Sequence, residues 1–133
     1  MNTDLRHFAL TEKIIAVFFE VYNELGHGFL ESVYHKSLAF ALREEGLMVQ
    51  SPVDIPVWFR GRQVGSFEGD ILVEKCVLLE LKAARTLDSS HKAQLLNYLR
   101  ATEIEIGLLL NFGVKPELKR LIYDNPRKKL INP

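Results

Sequence analysis

Two acidic residues and a lysine stand out in the middle of the chain because of where they occur. Glu80 interrupts the apolar run Val77–Leu81, and burying a carboxylate without a partner is costly unless something compensates its charge. Lys82 lies two residues further on, so in a strand its side chain points to the same face as Glu80. Asp70 precedes Glu80 by ten residues. These three residues are the first candidates for a chemical site.

The connection between Asp70 and Glu80 decides whether their carboxylates can meet. A three-residue connection centred on Lys75 places Asp70 directly opposite Glu80, with Cβ atoms roughly 5 Å apart. A two-residue turn at Glu74 and Lys75 instead sends the carboxylates to opposite faces, because a shift of one residue reverses every side chain of a strand. The sequence alone leaves both registers open.

In the first register the two like charges require a cation between them. A lysine could serve, and a divalent metal would serve better, since carboxylate oxygens with open water positions suit Mg²⁺ or Mn²⁺. A metal held in this way polarises a phosphate and lowers the pKa of a bound water, while a lysine orients that water or stabilises developing charge. The pattern therefore predicts phosphodiester hydrolysis. The alternative is an Asp–Lys–Glu ion-pair cluster on a solvent-facing strand.

The spacing of apolar residues predicts the elements that position these groups. Helices are predicted over residues 11–25, capped by Thr11, over residues 30–45, and from Ser89 or Ser90 to Thr102. Strands are predicted for Val53–Arg60, for Gln63–Asp70 continuing to Val73, for Val77–Lys82 and for Ile106–Phe112. Residues 116–123 fit either a short helix or an extended edge strand. The order α-α-β-β-β-α-β indicates an α/β fold with a mixed sheet.

Further polar residues recur at helical spacing beside the predicted strands. Glu31 and Tyr34 are three residues apart on the second helix. The alternative for Glu31 is a first-turn acid that the helix dipole stabilises. Gln94 and Tyr98 are four residues apart on the third helix, and His91 lies three residues before Gln94. The alternative for this stripe is a solvated helix face.

These residues carry a resemblance to a known family. The segment Gly28–Tyr34 is a G-x-x-E-x-x-Y element, which resembles the GxxExxY family of small proteins in the PD-(D/E)-x-K nuclease-like superfamily. The similarity continues in the expected order through residues 21–26, 69–73, 80–83, 94–99 and 107–113, and covers roughly residues 12–113. The resemblance implies a restriction-endonuclease-like fold, with a mixed β-sheet flanked by helices.

The resemblance also implies a role for each matching position. Asp70 and Glu80 would be ligands of Mg²⁺ or Mn²⁺, and Glu31 would join or support that metal shell. Lys82 would orient water or stabilise charge, and Gln94 would align the site. Five other residues are candidates for nucleic-acid contacts, with core packing the alternative for the two tyrosines: Arg85, His91, Lys92, Tyr34 and Tyr98.

Composition limits the class of protein. A chain of 133 residues, 47% of them hydrophobic, predicts one domain over residues 1–133, with a basic tail after residue 124. Seventeen basic and seventeen acidic residues cancel, which disfavours a protein that coats nucleic acid without specificity. One cysteine, no apolar leader and no long apolar span predict a soluble cytoplasmic protein that does not insert into membranes.

The leading hypothesis is a metal-dependent nuclease that acts on DNA, with RNA a less favoured substrate. One alternative is a module that keeps the nuclease fold and binds without cleaving. Another is a homodimeric regulatory partner, because Phe18, Phe19 and Tyr22 on the first helix could form a dimer surface.

Overall fold

The computed structural model describes residues 7–132 and has a mixed α/β architecture. Its helices are α1 (Phe8–Leu25), α2 (Glu31–Glu44) and α3 (Ser89–Arg100), with a 3-10 turn at Asn125–Arg127. Its strands are β1 (Val49–Gln50), β2 (Val53–Phe59), β3 (Arg62–Gly69), β4 (Ile71–Val73), β5 (Val77–Lys82), β6 (Ile106–Phe112) and β7 (Pro116–Ile122).

Five of the strands form one sheet in the order β1-β4-β5-β6-β7, and β2 and β3 form a separate hairpin. The β5–β6 pair is parallel, and its neighbouring pairs in the sheet are antiparallel. A parallel pair needs a crossover, which α3 provides. The predicted mixed sheet flanked by helices is confirmed. Strand β1 was not predicted, and neither was the separation of the hairpin from the main sheet.

Helices α1 and α2 cover one face of the sheet. Their buried residues, which include Ile14, Phe18 and Leu38, pack against apolar residues of the central strands. Gly26 ends α1 with a φ of 70°, a conformation that suits glycine. The prediction that Thr11 caps α1 is wrong: His7 occupies that position. The Thr11 hydroxyl instead donates to the carbonyl oxygen of Phe8 at 3.0 Å, inside the first turn.

Helix α3 and the β2–β3 hairpin cover the opposite face of the sheet. They enclose a second apolar cluster: Val53, Ile55, Leu72, Leu78, Leu95, Leu99, Leu109 and Leu121. The N-cap of α3 is Asp88. Its Oδ1 accepts hydrogen bonds from the backbone N–H groups of Ser90, at 2.8 Å, and His91, at 3.3 Å. This is the usual way in which an acidic side chain satisfies the first turn of a helix.

The C-terminal region resolves one open alternative and contains a buried lysine. Residues 116–122 form the edge strand β7, with Pro116 at its first position, where a missing N–H costs the sheet least. Lys128, in the basic segment after residue 124, is 1% exposed. Its Nζ donates to the carbonyl oxygens of Thr102, at 2.7 Å, and Ile104, at 2.6 Å. Burial lowers the pKa of Lys128 to about 8.

The residues of α1 that were predicted as a possible dimer surface are divided between the core and the exterior of the protein. Phe18 is fully buried and packs edge-on against Phe112, with ring centroids 4.9 Å apart, whereas Phe19 is 36% exposed. Tyr22 is half-buried and donates from its hydroxyl to the carbonyl oxygen of Gly113 at 2.8 Å. No helix within residues 7–132 is long and apolar enough to cross a membrane.

Candidate active site

The turn between β4 and β5 has the register that brings the two acids together. Val73 pairs with Val77, which leaves a three-residue connection centred on Lys75. Glu74 and Lys75 both have positive φ angles, of 52° and 58°. A side-chain oxygen of Glu74 also accepts the backbone N–H of Met48 at 2.5 Å, which ties the turn to the segment before β1. The first of the two registers open from sequence is therefore the observed one.

Asp70 and Glu80 meet across this hairpin and each binds the other's strand. Oδ2 of Asp70 accepts the backbone N–H of Leu81 at 2.7 Å, and Oε1 of Glu80 accepts the backbone N–H of Asp70 at 3.4 Å. Glu80 is 7% exposed, and Asp70 is half-buried. The reciprocal hydrogen bonds hold the carboxylates side by side at a sheltered position on the sheet.

The electrostatics of the pair disfavour two negative charges. Burial, and then the charge of Asp70, raise the pKa of Glu80 to about 8, and the nearby Lys82 lowers it by a smaller amount. Near neutral pH, the pair therefore retains a proton in the absence of any other cation. A bound cation at this position would take over the role of that proton.

Lys82 completes the pattern on the same face of β5. It is half-buried and pairs in register with Asn111 of β6. This face of the sheet is the one that α3 covers, since the apolar neighbour Leu78 belongs to the cluster beneath α3. Two carboxylates and an ammonium group are thus presented together between the sheet and α3.

Helix α3 brings Tyr98, with Gln94 hydrogen-bonded to it, within electrostatic reach of the acid pair. Nε2 of Gln94 donates to the hydroxyl of Tyr98 at 2.7 Å. The Tyr98 ring stacks on Phe67 of β3, with centroids 3.5 Å apart and planes 11° apart. Burial, followed by the charges of Glu80 and Asp70, raises the pKa of Tyr98. The hydroxyl therefore lies within electrostatic reach of both acids.

Glu31 and Tyr34 lie in the other helical layer. Glu31 is the exposed first residue of α2, and it is not among the charged groups that shift the pKa of Glu80. Tyr34 is fully buried and stacks on Phe112 at 4.3 Å, and its hydroxyl donates to the carbonyl oxygen of Gly26 at 2.6 Å. Burial leaves Tyr34 no surface with which to contact nucleic acid, so it belongs to the core.

The remaining predicted contact residues lie at and before the start of α3. Arg85 and Lys92 are exposed. His91 is half-buried and engaged in the helix cap, because its Nδ1 accepts the backbone N–H of Asp88 at 3.3 Å. Arg85 and Lys92 are therefore accessible to a phosphate, whereas His91 already has a structural role.

Asn111 was missed by the reasoning from sequence, although it organises the segment that follows Lys82. It is fully buried: its Oδ1 accepts the N–H of Ala84 at 2.9 Å, and its Nδ2 donates to the Ala84 carbonyl and to Glu117 Oε1, both at 3.0 Å. A Cβ added to Gly113 would lie 2.5 Å from the Ala84 oxygen. The sequence does contain a signal for this residue, because Asn111 is a polar residue in an apolar strand, as Glu80 is.

The donor set at the acid pair fits a small divalent cation. Mg²⁺ is commonly held by one or two carboxylates together with waters and substrate phosphates, and Asp70 and Glu80 supply two adjacent carboxylates. Within residues 7–132, no cluster of three or more His, Cys, Asp or Glu side chains is arranged to hold a metal ion. The structure therefore brings together two of the three predicted acids and leaves Glu31 apart.

The fold and the site together define the class of protein, a nuclease-like α/β domain with paired carboxylates and a lysine on a central strand. A sequence model of the PD-(D/E)XK nuclease superfamily matches residues 9–121, and the chain belongs to this superfamily. Membership of the narrower GxxExxY family stays a prediction.

Comparison with individual proteins adds support for the fold. No curated protein matches the chain. A solved structure described as "Crystal structure of SSO0001" superposes with a TM-score of 0.58 and 17% sequence identity over 96% of this chain. The chain spans 65% of the length of that protein. At this identity the likeness shows a shared fold and nothing about activity.

Proposed function

We propose that the protein is a metal-dependent nuclease that hydrolyses phosphodiester bonds of DNA, with RNA a less favoured substrate. The observation that carries the proposal is the pairing of Asp70 with the buried Glu80 beside Lys82. Burial and mutual repulsion raise the pKa of Glu80 to about 8, so the fold maintains a site that favours a cation. Stability alone does not explain such an arrangement, because apolar residues would be less costly there.

Each residue of the site would have a separate task. Asp70 and Glu80 would hold Mg²⁺ or Mn²⁺, which supplies phosphate polarisation and a more acidic water when bound. Lys82 would donate hydrogen bonds to the attacking water or to a phosphate oxygen, since an ammonium group carries three donors. Gln94 would position that water or phosphate from α3.

The second candidate is a module that keeps the fold and binds nucleic acid or a protein without cleavage. The observation that favours it is the absence of a third acid beside Asp70 and Glu80 among residues 7–132. A homodimer is compatible with either function. Cleavage of both strands of a duplex by single sites of this kind would need two copies of the chain.

A cleavage assay with metal and EDTA arms tests the proposal. The protein would be incubated with single-stranded, duplex and branched DNA and with RNA, in Mg²⁺, Mn²⁺ or EDTA. Asp70→Asn and Lys82→Ala are expected to abolish metal-dependent cleavage, while Glu12→Gln on the exposed surface of α1 serves as the control. Cleavage by the site variants equal to that by the wild type would refute the nuclease proposal, because it would indicate a contaminating nuclease. Metal binding without cleavage of any substrate would favour the second candidate, a module that binds without cleaving.

A further inference from the structure

Aromatic and cationic side chains are concentrated at the tip of the β2–β3 hairpin, which neither core includes. We use "hairpin tip" for residues 58–64. Trp58 is 39% exposed, Phe59 is 47% exposed and Val64 is 62% exposed. Arg60 and Arg62 are also exposed, and the guanidinium of Arg60 lies 5.0 Å from the centroid of the Phe59 ring. Exposed aromatic groups beside arginines on a protein surface need an explanation.

The charged residues of the hairpin tip are all positive. Residues 58–64 contain two arginines and no acidic residue, although the chain as a whole has no net charge. The acidic residues of the hairpin, Asp54 and Glu68, pair with each other near its base. The tip is therefore a local cationic and aromatic surface, complementary to an anion that carries flat apolar rings.

A groove lies beside this hairpin. It encloses a cavity of about 380 Å³ between the hairpin and α3, and its lining includes Val57, Phe67, Asn97, Tyr98 and Arg100. Tyr98 belongs to both places, since it lines the groove and the charges of the acid pair raise its pKa. Strand β3 also runs from the tip directly to Gly69, the residue before Asp70. Strand β3 and Tyr98 therefore link the hairpin to the acid pair.

We infer that the hairpin tip binds an unpaired DNA strand, with bases stacked on Trp58 and Phe59 and phosphates paired with Arg60 and Arg62. The inference deepens the proposed function, on which it rests, by naming the structure of the substrate. Aromatic side chains stack on bases whose faces are free, which requires single-stranded or unwound DNA. Arginine contributes both phosphate pairing and stacking on the bases. A blunt duplex presents its phosphates but hides the base faces.

Trp58 provides a direct readout, because it is the single tryptophan of the chain. The full-length protein would be titrated in EDTA, where no cleavage can occur, with a labelled single strand and with a blunt duplex of the same sequence. The single strand is expected to quench Trp58 fluorescence and to bind at least tenfold more tightly than the duplex. Fluorescence anisotropy of the labelled DNA measures the affinity in the same samples.

Hairpin variants locate the binding surface. The double variant Arg60→Ala/Arg62→Ala is expected to lose roughly tenfold in affinity, and its salt dependence should fall by about 1.4 in log–log slope, or about 0.7 for each phosphate contact. Phe59→Ala should weaken binding by a similar factor without changing that slope, since stacking releases no counterions. The matched control is Lys13→Ala/Lys36→Ala, which removes two exposed charges from α1 and α2.

The inference would be overturned by equal binding of duplex and single strand, by hairpin variants that match the control, or by no binding of either DNA. A shift of Trp58 emission with protein concentration alone would assign the tip to a second copy of the chain, which also overturns it. Single-strand binding that depends on the hairpin but lacks metal-dependent cleavage would refute the proposed nuclease and leave this inference standing. Metal-dependent cleavage that the hairpin variants do not reduce would support the proposed nuclease and refute this inference.

Discussion

Replacing Glu80 by glutamine should stabilise the metal-free protein at alkaline pH. The pKa of this carboxyl is raised from 4.5 to about 8 in the folded state. Between those values the unfolded chain releases the proton and the folded chain keeps it, so the free energy of unfolding falls as pH rises and the loss is complete above about pH 8. Glutamine has nearly the same shape and does not ionise, so Glu80→Gln should show no such loss.

The size of the effect follows from the pKa difference. At about 1.4 kcal/mol for each pKa unit, the full difference corresponds to ~5 kcal/mol. Rearrangement around the charged side chain and partial screening reduce this, so we expect ~2–4 kcal/mol at pH 8.5 and less than ~1 kcal/mol at pH 5. The acceptor for the backbone N–H of Asp70 is retained, because the amide oxygen of glutamine can replace Oε1.

Urea unfolding in EDTA at pH 5, 7 and 8.5 measures this difference. Glu12→Gln is the control for the removal of one negative charge from an exposed position. Addition of Mg²⁺ at pH 8.5 should restore wild-type stability by ~3 kcal/mol at one hundred times its Kd, with little effect on Glu80→Gln. If wild type and Glu80→Gln keep the same difference at all three pH values, then Glu80 is ionised at its ordinary pKa and the argument for a cation site fails.

Three substitutions test the packing beside the site and at the C-terminal segment by the same unfolding measurement. Asn111→Ala should lower the free energy of unfolding by ~2–4 kcal/mol, because it leaves buried backbone groups without partners. An unchanged stability would show that the hydrogen bonds of the Asn111 side chain are dispensable. Gly113→Ala should cost ~1–3 kcal/mol through a clash with backbone, whereas Gly65→Ala, which meets no atom within 4 Å, should not be destabilised by crowding. Lys128→Met should cost ~1–3 kcal/mol through two unpaired carbonyls, and equal stability would indicate that water replaces the ammonium group.

The sequence predicted the parts of the fold that carry a strong local pattern. The helical period marked α1 and α2, and the polar interruption at Glu80 identified the central strand that carries the site. The edge strand after Pro116 remained ambiguous, because its burial depends on pairing with β6. Strand β1 has two residues, too few to show any period, and only its pairing with β4 defines it.

The site was harder to predict where it depends on packing between layers. The turn at Glu74 and Lys75 was recognised, but its length was not, because residues with positive φ can begin either a two- or a three-residue connection. Tyr34 shares a helical face with Glu31 in the sequence pattern, yet its ring is buried against Phe112. Asn111 could have been found by the argument that was applied to Glu80.

The short turn between β4 and β5 also bears on the order in which the chain folds. Asp70 and Glu80 are ten residues apart, and a loop of that length closes in ~10–100 ns. The parallel pairing of β5 with β6 must wait for residues 83–105 to form their crossover, and non-local pairing of this kind is slow. The repulsion between the acids is therefore present in a hairpin that can form before β5 pairs with β6. A cation that relieves it should accelerate folding as well as slow unfolding.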